Sequence, residues 1–506
     1  MEYAVAVFDI GMTNKKVAIY DESLQQLEVS YKNFPPLMYP VGDVEVETHD
    51  LGEIKTWFFG ELKKFAARYP IKAIAVATHG ATFVCLDEAG KVCVPCILYT
   101  YEPGEELHRA FYQLAGDKET LQRTTFTPPL SSMINPAKGI LFLQQNLPDQ
   151  FAKVRTLLNY PQYWAYELTG LMGTEPTYIG CHTYLWDHSR STYSAITDAL
   201  GIRALLPEDY KNSYEPLGHL SSGVSALTGL PPSTIVTMGI HDSNASLLPY
   251  LVKEADNDFI LNSTGTWCVL MHPQETLEFN PGDIGNIVFF NQSAFGQPVK
   301  TSIFLGGMEL DTYISLYKKI NAADAFPPYD PGAFRQLLEA NDTYLLPELV
   351  SGSGQFNTSK PGILERGVFY PFAEIGEQNT PQILRNGPLF WALLDTSLVI
   401  QTMVALERAG LKEGMRIYTE GGFRQNQGYN ALLASALPRN KLYLTNLKEA
   451  TSFGAAITAI MAYTNKTSVP AGSVNIEYIE IPKEPFPHFA VYKEKWLAAA
   501  GAAHHK

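Results

Sequence analysis

The stretch AVAVFDIGMTNKKVAIY, residues 4–20, places a short polar turn between two apolar runs. These runs are rich in Val, Ala and aromatic residues, so we predict two strands joined by the turn DIGMTNKK. A similar pattern, DFILNSTGTWCVLM, occupies residues 258–271, about half the chain away. This spacing indicates one duplicated supersecondary unit and not a short-period repeat array. Two loops of this composition would offer backbone N–H groups and hydroxyls to phosphate oxygens.

Helical and strand patterns alternate along the first half of the chain. Apolar residues recur at helical spacing over 51–69, and 71–80 is predicted as a strand that leads into a loop with a glycine. Residues 137–170 are predicted as several helices, interrupted at Pro148 and Pro161. This alternation favours an α/β fold.

The second half of the chain continues the alternation. Residues 347–362 are polar and rich in Pro and Gly, which predicts a surface loop. A long amphipathic helix is expected over 388–410 and a small-residue helix over 449–463. Between them, 415–437 is predicted as a strand, a double-glycine turn and a helix. The end of the chain, 496–506, carries little information and is expected to be partly disordered.

Composition limits the classes of protein that need to be considered. The chain has 506 residues, of which 46% are hydrophobic and 18% are charged, so it is globular and long enough for two to four domains. Its formal charge of −14, with no Lys/Arg-rich run, argues against nucleic-acid binding. No secretory signal or run of 18 apolar residues is visible, so we expect a cytoplasmic protein without a membrane span.

Five cysteines, an odd number, fit a reducing compartment. Cys93 and Cys96 form a C-x-x-C, but no second pair or His pair stands near them in the sequence. We therefore expect small buried thiols there, in preference to a zinc or redox site. His182 and His188 are expected to be structural or exposed.

Several common catalytic motifs are absent from the sequence. It has no G-x-x-x-x-G-K-[ST], no H-E-x-x-H and no G-x-S-x-G, and GSGQFN at 352–357 lacks the third glycine and the preceding strand of a dinucleotide turn. Four stretches remain: FDIGMTNKKVAIYD (8–21), GIHDSNAS (239–246), LNSTGTW (261–267) and TEGGFRQNQGYNALLASAL (419–437).

In type, order and spacing these stretches resemble the FGGY carbohydrate kinases of the actin/hexokinase/Hsp70-like superfamily. The resemblance runs from about residue 3 to about residue 465, and GIHDSNA and STGTW are most similar to the fuculokinase and rhamnulokinase branch. It implies two actin-like (ribonuclease H-like) α/β domains with a cleft between them. We place a sugar-binding domain at 1–245, a nucleotide-binding domain at 246–480 and a C-terminal tail at 481–506.

The first turn is the first phosphate loop of this resemblance. Asp9 would hold Mg²⁺, since hard cations prefer carboxylate oxygen. Gly11 permits a tight turn, Thr13 and Asn14 can donate to phosphate, and Lys16 falls where the family usually carries a cation. Taken alone, the same residues would be interpreted as an ordinary β-hairpin turn with exposed lysines.

The resemblance places the nucleotide in the second half of the chain. A second phosphate loop and a double-glycine turn that approaches adenine and ribose are expected to bind it, through Thr264, Gly265, Thr266, Gly421, Gly422, Arg424 and Asn426. Departures from the family follow: Ala431, Ala434 and Ser435 stand where a Gln and an Ala-Asp are usual. ATP is still the expected cosubstrate.

Asp242 in GIHDSNAS has two interpretations. An Asp before a Ser/Asn/Ala-rich helix is a good N-cap, and the family resemblance makes it the general base that accepts the proton of the attacking sugar hydroxyl. The two are compatible, because the N–H groups at a helix start can keep a carboxylate ionised.

On the sugar side, His79, Thr82 and Asp242 are the expected contacts. Thr82 stands where an acid is common in the resembling branch, so a hydroxyl or imidazole must replace a strong acceptor. The chain is thus expected to phosphorylate a small ketose or deoxy-ketose (L-fuculose- or L-rhamnulose-like) with ATP and Mg²⁺. The alternatives are a kinase for xylulose, glycerol or another polyol, and a binding protein without turnover. Beyond the sugar and ATP, a second copy in a homodimer is the partner to test for.

Overall fold

The computed structural model describes residues 1–254, 258–323 and 327–501. The strands of the first half are β1 (Ala4–Ile10), β2 (Asn14–Asp21), β3 (Gln26–Asn33), β4 (Leu37–Val41), β5 (Val44–Thr48), β6 (Ile71–Thr78), β7 (Phe83–Leu86), β8 (Thr156–Asn159), β9 (Trp186–Asp187), β10 (Thr192–Tyr193), β11 (Pro216–His219), β12 (Ile235–Thr237) and β13 (Ile240–His241). Its α-helices are α1 (Leu51–Ala66), α2 (Glu105–Ala115), α3 (Lys118–Thr125), α4 (Pro136–Asn146), α5 (Pro148–Phe151), α6 (Tyr160–Thr169), α7 (Pro176–Ile179), α8 (Ala195–Ala199), α9 (Ser222–Thr228) and α10 (Asp242–Lys253).

The second half has the same mixture of elements. Its strands are β14 (Phe259–Thr264), β15 (Cys268–Pro273), β16 (Val288–Gln292), β17 (Pro298–Phe304), β18 (Thr343–Leu346), β19 (Gly362–Glu365), β20 (Val368–Pro371), β21 (Arg416–Gly421), β22 (Lys441–Thr445) and β23 (Tyr478–Glu480). Its α-helices are α11 (Gly306–Asn321), α12 (Pro331–Ala340), α13 (Gly387–Arg408), α14 (Gln427–Ala436), α15 (Ala450–Thr464) and α16 (Phe489–Ala499). Short 3-10 helices lie at Arg203–Leu205, Phe372–Glu374, Gln382–Arg385, Gly422–Gln425 and Ala471–Ser473.

Two mixed sheets repeat one strand order. Both predicted hairpins are confirmed, since β1 pairs antiparallel with β2 and β14 antiparallel with β15. The first sheet runs β3-β2-β1-β6-β12-β11, with β13 also paired to β6, and the second contains β17-β15-β14-β21-β22-β23. In each, the first hairpin strand continues into two parallel neighbours and an antiparallel edge strand. The duplication predicted from the hairpins therefore extends to whole sheets.

Helices α10 and α15 cross each other between the sheets. They meet backbone to backbone: a Cβ on Gly454 would lie only 1.8 Å from the carbonyl oxygen of Ala245. Beside this crossing, the hydroxyls of Ser246 and Thr451 are hydrogen-bonded at 2.9 Å. Helix α15 also packs on β1 and β6 of the first sheet. The proposed division at 245/246 thus cuts a helix that both halves share.

The segment 137–170 differs from its prediction by one strand. Helices α4, α5 and α6 confirm the helical part, and Pro148 and Pro161 lie in the first turns of α5 and α6, where a missing N–H costs nothing. Between them, Thr156–Asn159 pairs antiparallel with β7. Periodicity could not separate this strand from a helix, because a short apolar run of this length is compatible with either pattern.

Part of the expected C-terminal tail, 481–506, is folded as a helix that packs on the protein. Residues 489–499 form helix α16, in which Tyr492 and Trp496 are fully buried. The Trp496 indole N–H donates to the carbonyl of Leu345 at 2.7 Å, and the Tyr492 hydroxyl donates to that of Thr343 at 2.6 Å. Helix α16 thus packs against strand β18 and hydrogen-bonds two of its carbonyl groups. Of the stretch predicted to be disordered, residues 502–506 lie outside the described residues.

Helix α13 is long and apolar enough to cross a membrane by length and composition. Most of it is buried within the protein, where it packs against α12, α14, β17 and β18. This environment is typical of the core helix of a globular domain.

Candidate active site

Asp242 lies where β13 meets helix α10. His241 is the N-cap, so Asp242 is the first helical residue and not the N-cap that its sequence neighbours suggested. Its Oδ1 accepts hydrogen bonds from the Ser243 amide at 2.6 Å and the Ser243 hydroxyl at 3.2 Å. The side chain keeps 31% of its surface exposed.

The ionisation of Asp242 departs from the expected effect of a helix start. Burial and the nearby charge of Asp9 raise the pKa of the Asp242 carboxyl to about 7, against the lowering effect of the Ser243 hydrogen bonds and of Lys16. The helix N–H groups therefore do not keep it fully ionised. A carboxyl poised near neutral pH has the proton affinity that suits a general base.

The first predicted phosphate loop joins β1 and β2. Thr13 and Asn14 are exposed at its tip, and Asp9 is 3% exposed at its base. Asp9 Oδ2 accepts hydrogen bonds from the Lys16 ammonium at 3.1 Å and the Ser452 hydroxyl at 2.7 Å. Since these contacts of Asp9 use Oδ2, Oδ1 remains the oxygen suited to a hard cation, and the site fits Mg²⁺.

Lys16 is held between two carboxylates. Its ammonium is also 2.6 Å from Glu449 Oε2, and the Tyr31 hydroxyl donates to the other oxygen of Glu449. Burial would lower the pKa of Lys16, but Asp9 and Glu449 together raise it above its ordinary value. This cation is thus permanently charged beside the loop.

Lys15 is a residue that the sequence interpretation missed. Because alternate residues of a strand face opposite sides, Lys15 points away from Lys16 into the protein, where it is 1% exposed. Its ammonium donates to the Met12 carbonyl at 2.7 Å, and burial lowers its pKa to about 8. Lys15 thus stabilises the loop through a buried hydrogen bond to its backbone.

The second predicted phosphate loop joins β14 and β15. Gly265 and Thr266 are exposed, whereas Thr264 is buried. The Thr264 hydroxyl donates to the Glu420 carbonyl and accepts a hydrogen bond from the Phe423 amide at 3.0 Å. Thr264 thus fastens this loop to the double-glycine turn, while its two neighbours face outward.

Gly421 makes the closest contact of the double-glycine turn. Its φ is +79°, and a Cβ there would lie 1.9 Å from the Thr264 carbonyl oxygen. At Gly422 the same oxygen would be 3.8 Å away, an ordinary contact. The turn needs glycine at its first position for geometric reasons alone.

Three polar residues around this turn are engaged within the protein. Arg424 donates to the Thr445 carbonyl at 2.8 Å. Asn426 is the N-cap of α14, accepts from the Tyr429 amide at 3.1 Å, and donates to buried Asp395 at 2.6 Å. Glu420, absent from the predicted set, accepts from Ser263 and Tyr250. The nucleotide contacts of Arg424 and Asn426 stay predictions.

His79 and Thr82 lie in the loop after β6, and both are buried. His79 Nδ1 is 2.9 Å from the Gly80 carbonyl, and burial lowers its pKa to about 3, so the imidazole is neutral. Within the described part of the chain, His79 Nε2 and the Thr82 hydroxyl have no hydrogen-bond partner. The Tyr178 hydroxyl holds the loop by donating to the Thr82 carbonyl at 2.7 Å and accepting from the Thr82 amide at 2.9 Å.

The structure brings part of the predicted site together through direct contacts. Asp9 and Lys16 form an ion pair at 3.1 Å. Together with burial, the negative charge of Asp9 raises the pKa of Asp242. Glu449 and Ser452, which start α15, complete this cluster from the other half of the chain. Their signal in the sequence was the segment EATS before a small-residue helix, but only the tertiary crossing of α15 shows what it contacts.

Comparisons with known proteins agree with this geometry. The N-terminal domain model of the FGGY family of carbohydrate kinases matches residues 4–249, and the C-terminal domain model of carbohydrate kinase FGGY matches residues 256–468. The chain is 28% identical over 204 residues to an L-xylulose/3-keto-L-gulonate kinase of Escherichia coli (strain K12), and 24% identical over 208 residues to an L-fuculokinase of Salmonella typhi. These alignments cover 39% and 40% of this chain, and 39% and 41% of the two relatives.

A solved carbohydrate kinase from Novosphingobium aromaticivorans superposes with a TM-score of 0.77 at 24% identity, covering 99% of this chain and 100% of the other. This similarity confirms the expected fold of two actin-like α/β domains. The two domain models together span most of the chain, which therefore belongs to the FGGY family of carbohydrate kinases.

Proposed function

We propose that this protein transfers the γ-phosphoryl group of ATP to a hydroxyl of a small ketose, with Asp242 as the general base. The observation that carries the proposal is the position of Asp242: a partly exposed carboxyl with a pKa of about 7, beside the Asp9–Lys16 pair of a phosphate-type loop. Phosphoryl transfer requires positioning, charge neutralisation and an acceptor for the hydroxyl proton, and these residues supply all three.

Each residue of the site has its own role in this proposed reaction. Asp242 Oδ atoms accept the proton of the sugar hydroxyl as its oxygen attacks the γ-phosphorus and the bond to ADP breaks. Thr13, Asn14, Gly265 and Thr266 sit at the exposed loop tips and bind the phosphates. Asp9 would hold Mg²⁺, which supplies charge neutralisation when bound. Gly421 and Gly422 admit the nucleoside.

The sugar loop supports a deoxy-ketose over a polyol. A cavity of about 20 Å³, enough for one methyl group or water, is lined mainly by apolar side chains such as Phe83, Ile97 and Met133. Tyr99 also lines it, and burial, with a smaller contribution from the charge of Asp242, raises the pKa of Tyr99 to about 12, so one lining side chain lies within electrostatic range of the base. Beside it, Thr82 offers a neutral hydroxyl where an acid would reject an apolar group.

A coupled ADP-release assay over a panel of sugars tests the proposal. We expect turnover to be highest with L-fuculose-like or L-rhamnulose-like 6-deoxy-ketoses, lower with L-xylulose and D-xylulose, and lowest with glycerol. Turnover with the best sugar should disappear in Asp242→Ala while ATP binding, measured by calorimetry, is retained. ATP binding without turnover on any sugar would contradict the kinase proposal and favour a binding protein. A preference for glycerol would contradict the deoxy-ketose assignment alone.

A further inference from the structure

Three side chains with good metal-ligand atoms converge next to the proposed base. Cys181 Sγ and one ring nitrogen each of His182 and His241 lie within 4.8 Å of one another, and all three residues are buried. Among residues 1–254, 258–323 and 327–501 this is the one such group of three. Thiolate and imidazole are the ligands of Zn²⁺ and of late first-row metals, whereas Mg²⁺ prefers oxygen.

The orientation of His182 leaves one nitrogen available. Its Nδ1 is 3.0 Å from the carbonyl of Ile134, which accepts the N–H, so the lone pair is on Nε2. A backbone carbonyl that fixes the tautomer in this way is the usual outer contact of a metal-ligating histidine.

Gly80 lets the imidazoles of His182 and His241 pack closely against the same part of the backbone. A Cβ at residue 80 would lie 2.7 Å from His241 Nε2 and 3.0 Å from His182 Nε2, so the two nitrogens lie close together on the same side of Gly80. In a tetrahedral zinc site with bonds of about 2.0–2.3 Å the ligand atoms lie about 3.3–3.8 Å apart. Those of this group, which lie within 4.8 Å of one another, would need to draw together by about 1 Å.

Asp242 is close enough to be the fourth ligand. Its Oδ1 lies 3.4 Å from His241 Nε2. A divalent ion bound by the Cys181 thiolate, the Asp242 carboxylate and two neutral imidazoles has no net charge with its ligands, which is the arrangement a buried site favours. Binding would release the Cys181 thiol proton to solvent.

We propose that Cys181, His182, His241 and Asp242 form a tetrahedral site for a thiophilic divalent cation such as Zn²⁺. The ion would bind a carboxylate oxygen of Asp242 and so block the sugar hydroxyl from its base. This second part rests on the proposed function, while binding of the ion does not.

Co²⁺ is the probe for binding, because tetrahedral Co²⁺ with a thiolate ligand absorbs visible light and shows a sulfur-to-metal charge-transfer band. We expect the protein without nucleotide or sugar to bind one Co²⁺ with that band and to lose it when Zn²⁺ is added. Cys181→Ser should abolish the charge-transfer band, and His182→Gln should weaken binding at least about tenfold. Cys96→Ser, which replaces another buried thiol, should bind like the natural protein.

Two spectroscopic results would overturn the metal site: absence of the charge-transfer band in the natural protein, or its persistence in Cys181→Ser. Circular dichroism of each variant establishes that it is folded, and His182→Gln provides a second test if Cys181→Ser is not. Kinetic inhibition forms a separate arm: free Zn²⁺ should raise the KM for the sugar without changing kcat, and Cys181→Ser should resist it. Metal binding without such inhibition would overturn the blocking role only.

Discussion

Replacing Ser243 by alanine tests whether the ionisation of Asp242 controls turnover. The Ser243 hydroxyl donates to Asp242 Oδ1 at 3.2 Å and so stabilises the ionised carboxylate, while the stronger bond from the Ser243 amide at 2.6 Å survives the substitution. A hydrogen bond to a charged group on a partly exposed side chain contributes about 1 kcal/mol. Because one pKa unit corresponds to about 1.4 kcal/mol, the pKa of Asp242 should rise by about 0.7.

The assay is the pH dependence of kcat/KM for the best sugar at fixed ATP. In the natural protein the pKa of about 7 predicts that activity near pH 6 is about a tenth of that near pH 8. In Ser243→Ala the acid limb should move up by about 0.7 unit, giving about threefold lower kcat/KM near pH 7 and equal values above about pH 9.

A matched serine gives the control. Ser221 is the N-cap of α9, where its hydroxyl accepts from the Val224 amide, and Ser221→Ala should leave the pH profile unchanged. The reasoning is refuted if the natural protein keeps full kcat/KM below about pH 5.5, or if Ser243→Ala lowers activity equally at every pH.

Three other changes have expected outcomes. Gly421→Ala forces a methyl to within 1.9 Å of the Thr264 carbonyl, so its melting temperature should fall, whereas Gly422→Ala, with 3.8 Å available, should melt like the natural protein. Equal melting temperatures of the two variants would contradict the geometry. Trp496→Ala should lower the free energy of unfolding by about 3–5 kcal/mol in urea, because it removes a fully buried indole, while Val491→Ala on the exposed face of α16 should be near neutral. Burial raises the pKa of Glu175, Glu309 and Glu420 to about 7 and that of Asp395 to about 8. The folded state therefore binds protons at these carboxyls more tightly than the unfolded state does. Thermal stability should fall as pH rises from about 5 to about 8. Asp395→Asn should flatten this decline, and an unchanged slope would count against the assignment.

The sequence predicted the parts of the fold that depend on local pattern. The hairpins at 4–21 and 258–273 each carry two apolar runs around a Gly/Thr turn, so their duplication was visible without a structure. Strand Thr156–Asn159 was missed because so short an apolar run is compatible with a strand and with a helix. Helix α16 was missed because its signal is the burial of Tyr492 and Trp496 against β18, which is a tertiary contact.

The candidate site divides in the same way. Asp9, Lys16 and Asp242 were predicted from the resemblance of four motifs to a known family, because each local pattern taken alone indicates only a hairpin turn or a helix N-cap. Their pairing with Glu449 and Ser452 depends on the crossing of α15, in the other half of the chain, which no local pattern indicates. Likewise, Cys181 and His182 gave no metal signal, because His241 joins them only through the fold.

The backbone contact between Gly454 and Ala245 has a consequence for motion. With no side chain between the two helices, they lie at the closest spacing that their backbones allow, so any movement of one helix relative to the other has to be made at this contact. Asp242 begins one of these helices, and Ser452, bonded to Asp9, lies near the start of the other. A movement at this contact would therefore change the distance between the proton acceptor and the phosphate loop, and any side chain at 454 would force the two helices apart.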